Sequence, residues 1–190
     1  MSKVREKLIE ATFNEVHTFG YKGASLSIIL NKAEVKKGTM YYFFPSKKAM
    51  VLSMIEEKFE KTIEKEWSKL ISTNENIIDT LIDILMDNNW DLEKGSFLGN
   101  LLQEYLDNDR DFSISLTLIL DKWIKVFSIA LQKAQEKKQI NKNIDISECS
   151  VFIIASIEGA ILLSKKYENS NNFKKCINQL VFYLNNLRAK

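Results

Sequence analysis

Proline and glycine are scarce in this sequence. The 190 residues include one proline, Pro45, and six glycines, where average usage gives roughly 9 and 13. Strands joined by tight turns consume both residue types, so the scarcity points to an all-α chain. Cysteine is equally sparse: Cys149 and Cys176 stand far apart with no C-x-x-C spacing, which excludes a disulfide framework and a zinc site. A reducing cytoplasm is the expected compartment. The one histidine, His17, reads as an exposed helical residue. It leaves no metal constellation and no paired nucleophile and base, and no G-x-G-x-x-G or P-loop occurs. The expectation is a protein without catalytic residues, bound metal or cofactor. The most apolar stretch, residues 151–163, contains Glu158 and is shorter than the roughly 20 residues that span a bilayer. The start of the chain is charged and periodic, unlike a signal peptide. No membrane partner is expected.

What is present suits a helical globular protein: 45% hydrophobic and 27% charged residues are enough for a proper core. The net charge of +2 hides an asymmetry. Residues 1–48 hold nine Lys/Arg against four Glu, an excess of +5, and the remaining 142 residues carry −3. A basic head on an acidic body suits a module that binds a polyanion, although a solvated charged face produces similar runs.

Hydrophobic periodicity predicts nine helices. The first covers residues 2–19 and stops at Gly20. Ser25 is placed to cap a short helix to residue 33, and Glu34-Val35 links it to another over 36–43, which Pro45 ends. Ser46 caps a long helix to about residue 72. Four further segments span about 75–88, 97–106, 110–138 and 147–167, the last with Ser147 as its cap, and the ninth spans 173–187. The basic excess ends near residue 46, which places the expected domain boundary there, between 1–46 and 47–190.

Two short helices joined by a tight turn and backed by a longer one describe a helix-turn-helix, whose second helix enters the major groove. Lys36 opens that helix. Met40 and Phe44 are four apart and face inward toward Ile29, Val35 and Phe13. Lys37, Gly38, Tyr41 and Tyr42 face outward, with Gly38 allowing close approach of backbone to the duplex. Thr39 offers a hydroxyl and a methyl that suits a thymine methyl, and tyrosine hydroxyls reach phosphate oxygens. The next helix begins Ser46-Lys47-Lys48, whose free amides suit a phosphate. The alternative is that the four successive aromatic residues 41–44 simply pack together. The lysines of so short a helix argue against burial on every side.

The stretch Gly20-Tyr21-x-x-Ala24-Ser25-Leu26-x-x-Ile29-Leu30-x-x-Ala33-x-Val35-x-Lys37-Gly38-Thr39-x-Tyr41-Tyr42-x-Phe44-Pro45-Ser46-Lys47 resembles the DNA-binding signature of the tetracycline-repressor (TetR) family. The resemblance covers about 45 residues and implies a repressor that reads double-stranded DNA at a near-palindromic operator. It implies that the positions of Ser25, Tyr41 and Lys47 hold phosphates, and that those of Ser27, Lys37, Gly38, Thr39 and Tyr42 lie nearest the bases. Glu34 stands at the turn position usually held by glycine, where a left-handed backbone would be strained or relax into another turn. Phe43 and Ala24 replace a common His and Thr.

The eighth segment is apolar nearly all round, from Val151 to Leu163, and needs cover on two sides. Gly159 and Ala160 would allow close helix approach. The resemblance implies a homodimer through the eighth and ninth helices; a fully internal helix in a monomer is the alternative. It also implies an inducer cavity among helices four to seven, where Phe59, Ile63, Trp67, Ile82, Met86, Trp90, Phe97, Leu101, Tyr105, Trp123 and Phe127 would receive a small, mostly apolar inducer. Ordinary core packing is the alternative for each. Two other classes fit the composition: a helical ligand-binding protein with a degenerate head, and a small helical enzyme using carboxylates such as Glu104 or Asp121.

Overall fold

The computed structural model of the chain describes residues 2–62, 65, 67–87, 90, 92–105, 109–165 and 171–189. Among the described residues are ten α-helices and no strand. In order they are α1 (Lys3–Gly23), α2 (Leu26–Ala33), α3 (Lys37–Phe43), α4 (Lys47–Thr62), α5 (Ser68–Ser72), α6 (Ile77–Met86), α7 (Phe97–Tyr105), α8 (Arg110–Glu136), α9 (Ile146–Lys165) and α10 (Asn171–Asn186). The all-α expectation holds, with ten helices rather than nine. The long fourth segment carries two α-helices, α4 and α5; residues 63, 64 and 66 between them lie outside the described residues, and the chain passes from one compact unit to the next after Lys61. No proline or glycine lies there, so periodicity alone shows one continuous stripe.

The first unit comprises Met1–Lys61 and Phe97–Ile119, which brings together α1 to α4, α7 and the opening turns of α8. Helix α1 packs on α2, α3 and α7. Leu8, Ile29, Met40 and Met54 are completely buried. The polar residue Glu15 is buried with them, its carboxylate held by Lys32 at 2.9 Å. Gly20 breaks α1 as the sequence predicts, and a last turn to Gly23 follows the break. Its φ of 68° and ψ of 173° lie in a region that only glycine occupies readily. A Cβ there would also stand 2.7 Å from Glu104 Oε2. Gly20→Ala is therefore expected to destabilise the fold by about 1–3 kcal/mol, read as a lowered midpoint in thermal or denaturant unfolding.

The second unit comprises Thr62–Ser96 and Leu120–Lys190: α5, α6, the remainder of α8, α9 and α10. Helix α10 packs on α9 and α6, and α5 packs on α6. The caps are supplied by residues that periodicity does not single out. Asn76 Oδ1 accepts from the Ile78 and Asp79 amides at 3.0 and 3.3 Å. Asp145, rather than Ser147, accepts from the Glu148 amide at 3.0 Å and so begins α9. Lys133 Nζ donates to the carbonyls of Ile71 and Thr73 at the end of α5, a position where helix ends favour cations. Near the C-terminus, Arg188 pairs with Asp79 at 2.5 Å and bridges to Ile140.

Helix α9 extends beyond the apolar run of 151–163. Its residues Ile146–Ser164 have mean hydropathy 1.9, which by length and composition is enough to cross a membrane. The sequence reading that this stretch is too short does not hold for the whole helix. Its two apolar sides have separate uses: Ile153, Ile157 and Ala160 are buried within the unit, whereas Val151, Phe152, Leu162 and Leu163 are exposed.

Candidate functional site

Helices α2 and α3 are set by short-range signals. Ser25 caps α2, its hydroxyl accepting from the Ile28 amide at 3.5 Å and sharing a 2.8 Å bond with Ser27. The turn after α2 keeps the left-handed backbone with a glutamate in it: Glu34 has φ 58° and ψ 38°. Its carboxylate pairs with Lys7 at 2.7 Å. The hydrogen bond and charge of Lys7 hold that carboxyl below its ordinary range. The turn is thus retained and the strain accepted.

Helix α3 is anchored by two side chains, Met40 at 0% and Phe44 at 3% exposure. Arg5 covers the Phe44 ring at 5.1 Å. Phe13 takes a different role from the one expected: its ring lies 5.0 Å from Phe97 of α7. His17 joins it at 5.3 Å, half-buried rather than exposed. The rest of α3 faces solvent. Lys36, Lys37, Gly38, Thr39, Tyr41 and Tyr42 are all exposed, Tyr42 at 83%. A Cβ on Gly38 would meet nothing within 4 Å. Among the described residues nothing packs against the Gly38 position, and Tyr42 makes an edge contact with its neighbour Phe43 at 5.0 Å.

Charge is distributed unevenly over this unit. Arg5, Lys7, Lys32, Lys48 and Lys58 are each paired with a carboxylate. Among the described residues Lys36 and Lys37 have no carboxylate partner, and Lys37 Nζ sits 6.0 Å over the Tyr41 ring. Part of the basic excess read from the sequence thus stands at the start of α3, with Lys47 turned onto backbone carbonyls and Lys22 over the Tyr105 ring.

The beginning of α4 is organised inward. Ser46 caps it as predicted, accepting from the Ala49 amide at 3.0 Å. Lys47 directs its ammonium onto the carbonyls of Tyr21 and Ala24, both at 2.6 Å, and the cost of desolvation lowers its pKa. Lys48 pairs with Asp109 and Asp111 at 2.8 and 2.6 Å. Opposite Lys47, the Glu104 carboxylate accepts from the Tyr21 and Lys22 amides at 3.1 and 3.2 Å and from the Tyr105 hydroxyl at 2.6 Å. Glu104 is thereby engaged in holding the end of α1, and Asp121 is exposed. The Glu104 contacts with Tyr21 and Lys22 join residues 83 and 82 positions apart, and those of Lys47 residues 26 and 23 apart; none of these leaves a local trace in the sequence.

The residues read as ligand-facing fall into two groups, one in each unit. Phe59, Phe97, Leu101 and Tyr105 belong to the first, where Phe59 stacks on Phe97 at 6.2 Å. Tyr105 is 3% exposed and packs against Tyr21 and Phe112. Trp67, Ile82, Met86, Trp90, Trp123 and Phe127 belong to the second. Trp67 lies 6.4 Å from Trp90, 5.9 Å from Trp123 and 4.9 Å from Phe127. Ile63 lies outside the described residues. A cavity of about 520 Å³ is lined by Leu85, Met86, Trp90, Leu92, Phe173 and Ile177, with Asp87, Lys174 and Asn178 around it. Phe173, Leu92 and Ile177 were not among the expected residues; the spacing of Phe173 and Ile177 reads as an ordinary core face. In α9, Glu158 accepts a 2.8 Å hydrogen bond from Ser96, and burial raises its carboxyl pKa.

On the outward side of α9, Val151, Phe152, Leu162 and Leu163 are each about half exposed, and Phe182 of α10 is 65% exposed. Ala155 is exposed on the same side. Gly159 has no atom within 4 Å of its Cβ position, whereas Ala160 points inward at 0% exposure. Of the two small residues, only Gly159 is available for close approach of another helix.

Comparison with known proteins covers both parts of the chain. The family described as "Bacterial regulatory proteins, tetR family" matches residues 8–54. The one described as "Tetracyclin repressor-like, C-terminal domain" matches residues 75–180. The HTH-type transcriptional repressor DhaR of Mycobacterium sp. (strain GP1) is 27% identical over 173 residues, covering 87% of this chain and 84% of its own. Among solved structures, a TetR-family transcriptional regulator from Cytophaga hutchinsonii aligns with TM-score 0.88 at 21% identity, covering 100% of this chain and 98% of that one. The reduced form of E. coli NemR aligns with TM-score 0.84 at 21% identity, covering 99% and 98%. These structural likenesses establish a common fold.

Proposed function

The chain belongs to the tetracycline-repressor family of transcriptional regulators, and from that premise we propose that it is a repressor which a small, mostly apolar inducer releases from its operator. Members of this family are DNA-binding regulators rather than enzymes, and they typically dimerise and bind small molecules. The observation that carries the reading is the outward face of α3. Its exposed residues are an 83% exposed tyrosine, two lysines without carboxylate partners among the described residues, and a glycine that the fold does not need. In this reading residues 1–46 read DNA and residues 47–190 bind the inducer and the second subunit. Ser25 and Tyr41 take phosphates. Ser27, Lys37, Gly38, Thr39 and Tyr42 approach the bases, and Lys36 adds charge. Lys47, expected to hold a phosphate, is assigned a supporting role because its ammonium is spent on two carbonyls. The repressor named among the relatives supports repression over activation.

The direct test is Gly38→Ala. A methyl at this open, helical position improves helix propensity by up to about 1 kcal/mol, so thermal stability should hold or rise. Affinity for the operator should fall roughly ten-fold, because the methyl occupies space reserved for the duplex. Unchanged affinity in a gel-shift or anisotropy titration would remove α3 from the interface.

A homodimer through α9 and α10 is the assembly that the exposed stripe supports. It would set two copies of α3 about 34–36 Å apart, on successive major grooves of a near-palindrome. We place the inducer in the body, with the expected cellular location in the cytoplasm.

A further inference from the structure

The cavity of about 520 Å³ lies within the second unit, where the end of α6 and the beginning of α10 both line it. Helix α10 stands outside the set of helices among which the sequence placed a ligand. The apolar part of the lining is built in: Leu85, Phe173 and Ile177 are buried. The Trp90 ring also lines the cavity and lies 5.5 Å from that of Phe173. The polar lining residues, Asp87, Lys174 and Asn178, are exposed. Among the described residues none of these three side chains has a hydrogen bond or an ion pair.

Their charges are placed against the preference of the helices that carry them. Asp87 stands at the C-cap of α6, and the last turn of that helix holds no basic residue. The carbonyls of a helix C-terminus already favour a cation, so Asp87 makes this side of the cavity more negative still. Lys174 lies in the first turn of α10, which holds no acidic residue. A helix beginning favours an anion, and Lys174 strengthens that preference. Asn178 follows Lys174 by one turn on the same face of α10 and adds an amide donor. One side of the cavity therefore calls for a cation and the other for an anion, above an apolar floor. A simple anion would meet Asp87, a simple cation would meet Lys174, and an uncharged molecule would leave both unmatched.

We propose that this cavity is a binding site for an apolar zwitterion, with its ammonium toward Asp87 and its carboxylate toward Lys174 and Asn178. The apolar body lies on Leu85, Trp90, Phe173 and Ile177. The inference rests on the reading of the chain as a ligand-responsive regulator and supplies the class of that ligand. The volume falls within the range for drug-sized ligands. A dipeptide of large apolar residues is a simple probe of this class, since its charges stand at its two ends and its side chains between them.

The test titrates the full-length protein by calorimetry with four forms of leucyl-phenylalanine at about pH 6.5, where both termini are ionised. The forms are the free dipeptide, its C-terminal amide, its N-acetyl derivative and the doubly blocked compound. The free dipeptide is expected to bind roughly three- to five-fold more tightly than either singly blocked form, the effect of an ion pair at an exposed site. Lys174→Ala should abolish the preference over the amide and keep that over the acetyl form. Asp87→Asn should do the reverse. Both side chains are exposed, so melting curves should stay unchanged. If a variant fails to fold, the order of the four compounds on wild type decides the matter. Equal binding of all four, tightest binding of a singly charged form, or preferences that neither variant moves would overturn the zwitterion assignment. If none of the four binds, the assignment falls and the repressor reading stands. Binding in the expected order that leaves operator affinity unchanged keeps the site and removes inducer release through it.

Discussion

Exchanging Lys37 and Tyr42 together for alanine is expected to cost the protein at least about 100-fold in operator affinity while leaving its melting temperature unchanged. The two expectations come from the same observation. Both side chains are exposed, Tyr42 at 83%, so truncation removes only surface contacts within α3, the edge of Tyr42 on Phe43 and Lys37 over Tyr41, and no buried packing. A side chain that discriminates bases is worth about 1–3 kcal/mol, and each subunit of a dimer carries the change once. Two losses per complex at the low end of that range already exceed a factor of ten, and the pair of residues multiplies it. Because Lys37 has no carboxylate partner among the described residues, its full charge is available to the duplex. Its removal should therefore flatten the dependence of affinity on salt. Anisotropy titrations at several salt concentrations, with a melting curve beside them, measure both. A double variant that bound as tightly as the parent would remove α3 from DNA recognition.

The second large effect concerns assembly. Leu162→Asp is expected to convert the protein from a dimer into a folded 22.0 kDa monomer with almost no operator binding. Leu162 is 53% exposed in the single chain, so an aspartate there is solvated and costs the monomer little. In a two-fold interface the same aspartate would be buried opposite its symmetry mate, at a cost of several kcal/mol. A monomer reads one half-site alone and forfeits the gain of linked binding, about 10²–10⁴-fold. Sedimentation velocity with circular dichroism separates lost association from lost structure. A variant that remained dimeric would move the interface away from this stripe of α9. Ala160→Asp would test something else, since Ala160 is wholly internal and a charge there would unfold the unit.

What the sequence made legible was local. Ser25 and Ser46 cap α2 and α4, Gly20 interrupts α1, and Met40 and Phe44 turn inward. Each follows from a residue's own chemistry or from spacings within one helical turn. The outward face of α3 followed from the same arithmetic. What escaped depended on partners distant in sequence. The ammonium of Lys47 lies on the carbonyls of Tyr21 and Ala24, and Glu104 accepts from the amides beside Gly20. Neither pairing has a periodic signature. The division of the long fourth segment into α4 and α5 escaped for a related reason, since no proline or glycine marks it. The ligand-facing residues were chosen by type, and type does not distinguish Trp90, which lines the cavity of about 520 Å³, from Tyr105, whose hydroxyl is donated to Glu104.

The central claim is that α3 of a dimer reads a specific near-palindromic duplex, and one experiment addresses it most directly. Genomic fragments retained by the purified protein are sequenced, and the most enriched one is footprinted and titrated across salt. The account predicts protection of two half-sites whose centres lie one helical turn apart. It also predicts that log K falls with log salt at a slope of about −5 to −9, the value for roughly 6–10 phosphates contacted per dimer. Enrichment of no common sequence, or binding indifferent to salt, would contradict it.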